Sequence, residues 1–165
     1  MKPCHGQFGR PKLGRQGFTL AELLIVMAIV GILASLAAPA FSQFIKSQRI
    51  KSMASDLNAS LTLARSEAIK RNANATITPT GTWQGGWQIT VPNLSPPPAP
   101  DIVVETHSAF TGLTVSGPAA VTYQSSGRVQ GTTAPTFTIS ATGVSDQRCV
   151  SVDLSGRPNV KASAC

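Results

Sequence analysis

Chemically reactive side chains are scarce in this chain, and their scarcity excludes most classes of enzyme. The 165 residues include two histidines, three cysteines and seven acidic residues, and only 13% of the residues are charged. One histidine, His107, follows residue 71. Its sequence neighbours supply no Ser-His-Asp or Cys-His set of recognisable spacing, no metal-ligand cluster and no phosphate-binding glycine loop. We therefore expect a protein that is not an enzyme, with no catalytic residue, no metal site and no cofactor.

The apolar residues, by contrast, are concentrated in one long run at residues 18–45. This run contains a single charged residue, Glu22. As a helix it would be about 42 Å long at about 1.5 Å per residue, which exceeds a hydrocarbon core of roughly 30 Å. Four basic residues and no acidic residue precede it: Lys2, Arg10, Lys12 and Arg15. This asymmetry of positive charge predicts a single-span protein with a cytoplasmic N-terminus and an exported C-terminal part.

Two features of the run are unlike those of a cleaved secretory signal. It is longer than the apolar region of such a signal, which has about 7 to 15 residues, and Glu22 lies where that region is purely apolar. The alternative, a conventional cleavage site, would lie among the small residues at 34–40.

The beginning of the run resembles the class III signal of type IV pilins and type II secretion pseudopilins. Residues 17–20 read Gly-Phe-Thr-Leu, and Glu22 follows. In that family a prepilin peptidase cuts after the glycine on the cytoplasmic side and methylates the new N-terminal Phe. The resemblance implies processing between Gly17 and Phe18, so that residues 1–17 are a leader peptide and the apolar helix remains in the mature protein.

A carboxylate in a membrane segment requires a partner or a location near the interface. Deep in a bilayer it costs about 2.5 to 3.5 kcal/mol on insertion scales. The pilin resemblance implies an assembly role, in which Glu22 meets the free amine of Phe18 in the neighbouring subunit. Alternatively, Glu22 lies near enough to the interface for its side chain to reach the head groups.

Residues 46–73 continue the helical spacing outside the membrane. Apolar residues recur three or four positions apart: Ile50, Met53, Ala54, Leu57, Leu61, Ala64 and Ala68. This spacing predicts one buried face of an exported amphipathic continuation of the same helix. Glu67 and Arg71 have the spacing of an i,i+4 ion pair.

The composition changes to Thr, Val, Ile, Gly and Pro at residue 74, which is typical of strands. Short runs recur at residues 75–80, 87–91, 102–106, 113–116, 121–124, 137–141 and 150–154. We therefore expect a β-sheet domain at residues 74–165 and an α+β, pilin-like fold, with a long N-terminal transmembrane helix packed on antiparallel sheet.

Three further motifs are similar to those of the minor-pilin family that includes GspH, FimT and FimU. They lie at residues 83–89, 124–128 and 149–157, and a terminal Cys165 follows. In the first motif, Trp83 and Trp87 flank a Gly-Gly pair that we expect to be a turn. The two rings would pack in the core or, alternatively, stack on a ligand.

Removal of the leader would also remove Cys4 and leave Cys149 and Cys165 as an even pair in an oxidising compartment. This predicts a disulfide around a C-terminal loop, which would contribute about 3 kcal/mol in the chain-entropy model. Two buried thiols or a metal-binding pair are the alternatives. The leader holds four basic residues, so the formal net charge would fall from +7 to +3 on processing.

Some FimT proteins act as DNA receptors in natural transformation through a C-terminal Gly-Arg-x-Arg motif. Residues 156–161 read Gly-Arg-Pro-Asn-Val-Lys here, so Arg157 matches the first Arg and Asn159 replaces the second. With Lys161 and Arg148, Arg157 could still contact phosphate without reading bases.

The expected function is that of a minor pilin or pseudopilin subunit for a type IV pilus or a type II secretion pseudopilus, and a FimT-like DNA receptor is the alternative. The resemblance implies a bacterial inner-membrane protein with a periplasmic C-terminal domain. Its expected partners are prepilin peptidase, other major and minor pilins or pseudopilins, the inner-membrane assembly platform, the lipid bilayer and, under the alternative, DNA.

Overall fold

A computed structural model describes residues 18–96 and 99–165. This part of the chain forms one helix, α1 (Leu20–Arg71), followed by eight strands. The strands are β1 (Ala75–Thr80), β2 (Thr82–Val91), β3 (Ile102–His107), β4 (Thr114–Ser116), β5 (Val121–Tyr123), β6 (Thr136–Ser140), β7 (Arg148–Val152) and β8 (Pro158–Lys161). The predicted α+β class, one long helix with antiparallel sheet, is confirmed. The predicted leader, residues 1–17, lies outside the described residues.

The chain divides into two compact units, one ending at Pro39 and one spanning Ala40–Cys165. In the first unit, the described residues belong almost entirely to α1 and are exposed. The helix is long and apolar enough to cross a membrane, and none of its most apolar stretch is buried within the protein. Its apolar side chains therefore need lipid or other helices around them.

The second unit combines the rest of α1 with two four-stranded antiparallel sheets. Sheet A has the order β3-β2-β1-β5, and sheet B has the order β4-β6-β7-β8. Strands β3 and β5 are the edges of sheet A, while β4 and β8 are the edges of sheet B. One hydrophobic core includes side chains from α1 and from both sheets.

The helix continues to Arg71, and one of its faces is buried from Ile50 to Ala68. Every residue predicted for its apolar face is buried, with at most 1% of its surface exposed. They share one core with the largest buried side chains of the sheets, among them Trp87, Tyr123 and Phe137. Burying one large aliphatic or aromatic side chain contributes about 1.5 to 3 kcal/mol, so this packing stabilises the unit far more than helix propensity alone.

The predicted turn at Gly85 and Gly86 is wrong, because both glycines lie inside β2. The chain reverses instead at Gly81, between β1 and β2, where φ is +79°. Residues 83–86 bulge out of the ladder, since Pro79 pairs with Trp87 while the next residue of β1 pairs with Thr82. A side chain at position 86 would collide with the carbonyl of His107, and φ there is +98°. The glycine pair thus permits a bulge and a close backbone approach.

Strand β8 was not predicted, because Pro158-Asn-Val-Lys is short and lacks apolar alternation. Pro158 is its first residue, and the strand is an edge. Proline is tolerated at that position because the missing N–H removes no ladder hydrogen bond inside a sheet. Pairing with β7 rather than intrinsic strand propensity therefore explains β8.

Candidate functional site

The start of α1 carries a reciprocal hydrogen-bonded cap. The backbone N–H of Glu22 donates to the Thr19 hydroxyl at 3.2 Å, and the Thr19 N–H donates to a carboxylate oxygen of Glu22 at 3.4 Å. This is a capping box, and it places a negative charge where the helix dipole favours one. Its Thr-x-x-Glu pattern is visible in the sequence, and it adds a local capping role for Thr19 and Glu22 to the two interpretations of Glu22 given above, assembly and a location near the interface.

Phe18 lies immediately before this cap and is 80% exposed. Gly17, the predicted processing residue, lies outside the described residues. The structure therefore places Phe18 and Glu22 at the same helix end, with the carboxylate held by its own chain. The roles of Gly17 and Phe18 in processing, and of Phe18 and Glu22 in assembly, stay predictions.

A disulfide joins Cys149 on β7 to Cys165, with 5.0 Å between the two Cα atoms. The predicted pairing is thus present. The backbone N–H of Cys165 also donates to the Thr138 hydroxyl on β6, at 3.4 Å. The C-terminal segment is therefore fastened across sheet B beyond β8.

The three basic residues predicted to contact DNA do not form one surface. Arg157 and Lys161 are exposed. Arg157 immediately precedes β8, and by alternation it lies on the same face as Asn159 and Lys161, which pair with Ser151 and Cys149 of β7. Together with Ser151 and Asp153 they line a shallow polar depression. Arg148 is half-buried and, by alternation along β7, lies on the other face of the sheet, with Val150 and Val152.

The Arg148 side chain is already engaged within the protein. Its guanidinium donates to the Asp146 carboxylate at 2.5 Å and to the Gln147 carbonyl at 2.8 Å, and only 15% of the side chain is exposed. A phosphate would have to displace Asp146 to reach it. The structure therefore brings Arg157 and Lys161 together and separates Arg148 from them.

Asp153 lies beside Arg157 and reduces the positive charge of this face. Its carboxylate accepts a hydrogen bond from the Ser155 hydroxyl at 2.6 Å and another from the Arg157 N–H at 2.9 Å. The Ser155 bond first, and then the Arg157 bond, lower the pKa of Asp153 below its ordinary value. The group is therefore ionised at neutral pH, which weakens the attraction of an anion to Arg157.

Two similar turns account for the Ser-Gly-Arg motifs that carried the family resemblance. In the turn at residues 124–128, the N–H of Gly127 donates to the Gln124 carbonyl at 2.8 Å. In the turn at residues 153–157, the N–H of Gly156 donates to the Asp153 carbonyl at 2.9 Å. Both glycines have positive φ, +75° and +87°.

The two turns meet over Arg65 of α1. The Arg65 Nε donates to the Gly127 carbonyl at 3.1 Å, and a side chain at Gly156 would collide with that same carbonyl. The motifs thus fasten loops of both sheets to the helix. Gly156 therefore has a packing role, independent of any contact that Arg157 makes.

The aromatic residues of sheet A belong to the core. Trp83 and Trp87 are 4% and 0% exposed, and the indole N–H of Trp83 donates to the Pro118 carbonyl at 2.7 Å. His107 stacks on Trp87, with ring centroids 4.2 Å apart, and its Nε2 lies 3.6 Å from the Asp56 carboxylate. Core packing rather than ligand stacking is their role here.

Within residues 18–96 and 99–165, no three His, Cys, Asp or Glu side chains approach one another closely enough to hold a metal ion. The candidate functional features of the described chain are therefore the exposed apolar helix with its Glu22 cap and the surfaces of the two sheets.

Two family models match the chain. The model of the type II transport protein GspH matches residues 53–156, which is more than half of the chain, and the model of the prokaryotic N-terminal methylation motif matches residues 12–38. The second match contains Gly17, Phe18 and Glu22.

The curated relatives match only part of the chain. The type IV major alpha-pilin of Moraxella bovis is 44% identical over 48 residues, which are 29% of this chain and 30% of that protein. A fimbrial protein of Pseudomonas aeruginosa is 38% identical over 56 residues, or 34% of this chain and 36% of that protein. The matches thus span about a third of these relatives.

Solved structures cover more of the chain. The type IV minor pilin FimU of Pseudomonas aeruginosa is 27% identical with a TM-score of 0.59, covering 72% of this chain and 92% of that one. The minor pseudopilin EpsH of the Vibrio cholerae type II secretion system is 16% identical with a TM-score of 0.51, covering 69% of this chain and 97% of that one. At that identity the likeness to EpsH concerns the fold alone.

Proposed function

The chain belongs to the GspH family, and from this membership we propose that it is a minor pilin or pseudopilin subunit that is stored in the membrane and assembled into a filament. One observation carries the proposal: a single chain combines an N-terminal methylation motif at residues 12–38 with a GspH domain at residues 53–156. The long exposed apolar helix supplies the part that such a subunit keeps in lipid before assembly.

In this proposal the apolar helix has two successive environments. Lipid surrounds the side chains of residues 18–45 before assembly, and the helices of neighbouring subunits surround them afterwards. Glu22 favours the second environment, since a carboxylate deep in lipid costs about 2.5 to 3.5 kcal/mol on insertion scales. A neighbouring Phe18 amine, freed by cleavage after Gly17, would neutralise it.

The proposed topology and partners follow from the same processing. The four basic residues of the leader hold the N-terminus in the cytoplasm, where prepilin peptidase acts, and the domain from residue 46 onward lies in the periplasm. An inner-membrane assembly platform and other major and minor subunits are the remaining proposed partners. The similarity to FimU supports a type IV pilus, while the family model supports a type II secretion pseudopilus.

Complementation tests the proposal directly. A strain that lacks this chain should lose pilus-dependent motility or type II secretion, and a tagged copy should restore it and co-purify with sheared filaments. A tagged copy that restores neither activity and stays in the membrane fraction would contradict the proposal.

A DNA-receptor function is a second candidate, supported by one observation. Arg157 and Lys161 are exposed on one face of β8, on either side of Asn159, whose amide can also bond phosphate oxygen. Two cations provide only a weak, sequence-independent attraction. The subunit function is therefore the first proposal.

A further inference from the structure

Two five-residue turns with the same hydrogen bonds meet where Gly127 contacts Gly156. In the turn at residues 124–128, which follows β5, the first N–H donates to the last carbonyl at 2.8 Å. In the turn at residues 153–157, between β7 and β8, the corresponding bond is 3.1 Å long. Each turn has an arginine immediately after its glycine, Arg128 in the first and Arg157 in the second. The two arginines therefore begin one residue away from the same glycine contact.

The helix adds one more arginine and an apolar side chain at this place. A Cβ atom at either glycine would lie 3.3 Å from Arg65 Nε, and one at Gly127 would lie 2.7 Å from Cδ1 of Ile69. Ile69 is nevertheless 51% exposed. We call Arg65, Ile69, Arg128 and Arg157 the twin-turn surface. It combines three guanidinium groups with an exposed aliphatic side chain.

The positive charge of the twin-turn surface is only partly balanced by its own chain. Arg128 and Arg157 are exposed, and no ion pair of the described residues includes either guanidinium. Arg65 uses its Nε for a carbonyl, which leaves its charge unpaired. Asp153 is the one acidic residue of the two turns, and the hydrogen bonds that it accepts come from its own turn. The surface therefore attracts anions.

Two kinds of anionic partner fit this surface poorly. Arg65 lies 20 residues after Ile45, the end of the apolar run, which is about 30 Å of helix. Attraction to lipid head groups decays over about 8 Å at physiological ionic strength. Single-stranded nucleic acids bind where exposed aromatic rings stack on their bases. In the described chain the exposed aromatic residues are Phe18, Phe41 and Phe44, all in the apolar run.

We propose that the twin-turn surface binds a carboxylate-rich surface on a different subunit of the filament. A guanidinium binds a carboxylate through two parallel hydrogen bonds, and arginine is enriched in protein interfaces. The same contact would cover the exposed side chain of Ile69. This inference rests on the proposed function, in which other subunits surround a minor subunit. It names the surface of the exported domain that meets one of them and the chemistry of that neighbour.

Reversing the charge of the two turn arginines tests the surface in the full-length chain. Arg128→Glu combined with Arg157→Glu should lower incorporation into sheared filaments several-fold, because like charges then face the carboxylates of the partner. The matched control is Lys51→Glu with Lys161→Glu, which changes the net charge equally at two exposed lysines outside the surface. Blots of membrane and filament fractions measure incorporation, and the native disulfide shows that each variant has folded. Equal loss in both double variants, or no loss in the first, would overturn the proposal.

Carbodiimide cross-linking identifies the partner. The reagent joins a lysine amine to a carboxylate as an amide, taking up the water that is lost, and it does not join arginine. Arg128→Lys and Arg157→Lys therefore keep the charge and make the surface reactive. Mass spectrometry of treated filaments should find position 128 or 157 joined to an Asp or Glu of a different subunit, and wild type should lack these links. A link to a second copy of this chain, or no link from variants that enter filaments, would overturn the proposal.

The outcomes also separate this inference from the other proposals. If Arg128→Glu with Arg157→Glu enters filaments normally but no longer shifts DNA in gels, the surface belongs to DNA and the inference is overturned. Normal incorporation of the lysine variants without the expected links would overturn the inference and leave the proposed function intact. A wild-type chain absent from filaments would overturn the proposed function itself, and the inference with it.

Discussion

At the scale of single residues, Glu22 combines a local task with the proposed task in assembly. Its carboxylate caps the N-terminus of α1 through Thr19, and both hydrogen bonds of this cap lie within one chain. A Phe18 amine of a neighbouring subunit would compete with the Thr19 N–H for the same carboxylate. The cap and the assembly role can therefore be separated by mutating the two residues independently.

Replacing Glu22 with Leu should leave membrane insertion unchanged or improved, because the apolar residue is more favourable in lipid. Incorporation into filaments should fall sharply. The matched control is Thr19→Ala, which removes the capping hydroxyl and costs about 1 kcal/mol of helix stability but keeps the carboxylate. Quantitative blots of membrane and filament fractions measure both steps. Equal incorporation of Glu22→Leu and wild type would contradict the assembly role.

Glu67 is a buried acidic residue near the C-terminal end of α1. Its side chain is 10% exposed, and it pairs with Arg71 at 2.6 Å and with Lys70 at 3.3 Å. The hydrogen bond from Arg71 is the main cause that lowers the pKa of Glu67, and it outweighs the opposite effect of burial. The carboxylate thus favours the folded state whenever it is ionised.

The pH dependence follows from the sign of that pKa change. The stabilisation is complete above the ordinary pKa of 4.5, and it is lost as the pH falls through the lowered pKa of the folded protein. Glu67→Gln should be less stable than wild type at neutral pH and should lose less stability below pH 4.5. Fluorescence of the buried Trp83 and Trp87 during urea unfolding reports this. The control Asp101→Asn should lose stability in acid as the wild type does. If the free energy of unfolding of Glu67→Gln falls with pH in parallel with that of Asp101→Asn, the Glu67 ion pair is not the cause of the acid sensitivity.

At the scale of secondary-structure elements, the sequence predicts the features that depend on a regular spacing of apolar residues. The apolar spacing of residues 50–68 identified the buried face of α1 correctly because helix packing repeats every three or four residues. Most of the strands were found where β-branched residues alternate. The bulge at Gly85 and Gly86 and strand β8 were not, since contacts distant in sequence determine both: the close approach of His107 and pairing with β7.

The C-terminal segment depends on its disulfide in the same non-local way. Cys165→Ser should lower the free energy of unfolding by about 3 kcal/mol, the chain-entropy value for a loop of this length. Wild-type protein treated with a reductant is the matched control and should lose the same amount. Thermal unfolding followed by Trp fluorescence measures both. A reductant-insensitive wild type would show that β8 is held by its ladder alone.

At the scale of the whole molecule, the basic residues of the C-terminal face could be listed from the sequence but not grouped. Arg148, Arg157 and Lys161 all lie within 14 residues of one another. Arg148 nevertheless lies apart from the other two, because alternation along β7 places it on the other face of the sheet and because its guanidinium pairs with Asp146. The motif residues Gly127 and Gly156 were found by resemblance, whereas their meeting over Arg65 required the fold. The capping box of Thr19 and Glu22, by contrast, can be recognised from the sequence alone, because its two residues are three positions apart.

The DNA-receptor alternative predicts a particular pattern of salt dependence. The detergent-solubilised chain should bind DNA of any sequence, and Arg157→Gln with Lys161→Gln should flatten the salt slope by about 0.9 per lost phosphate contact. Arg148→Gln should leave the slope unchanged because Asp146 already holds that side chain. Gel-shift titrations at several salt concentrations measure this. No binding by the wild-type chain would remove the alternative.

The central claim is that this chain is processed as a pilin and enters a filament, and the most direct measurement is the mass of its N-terminus in sheared filaments. The account predicts a chain that begins with N-methylated Phe18 and lacks residues 1–17. A chain in the same fraction that begins at Met1, or one cleaved among residues 34–40, would contradict it.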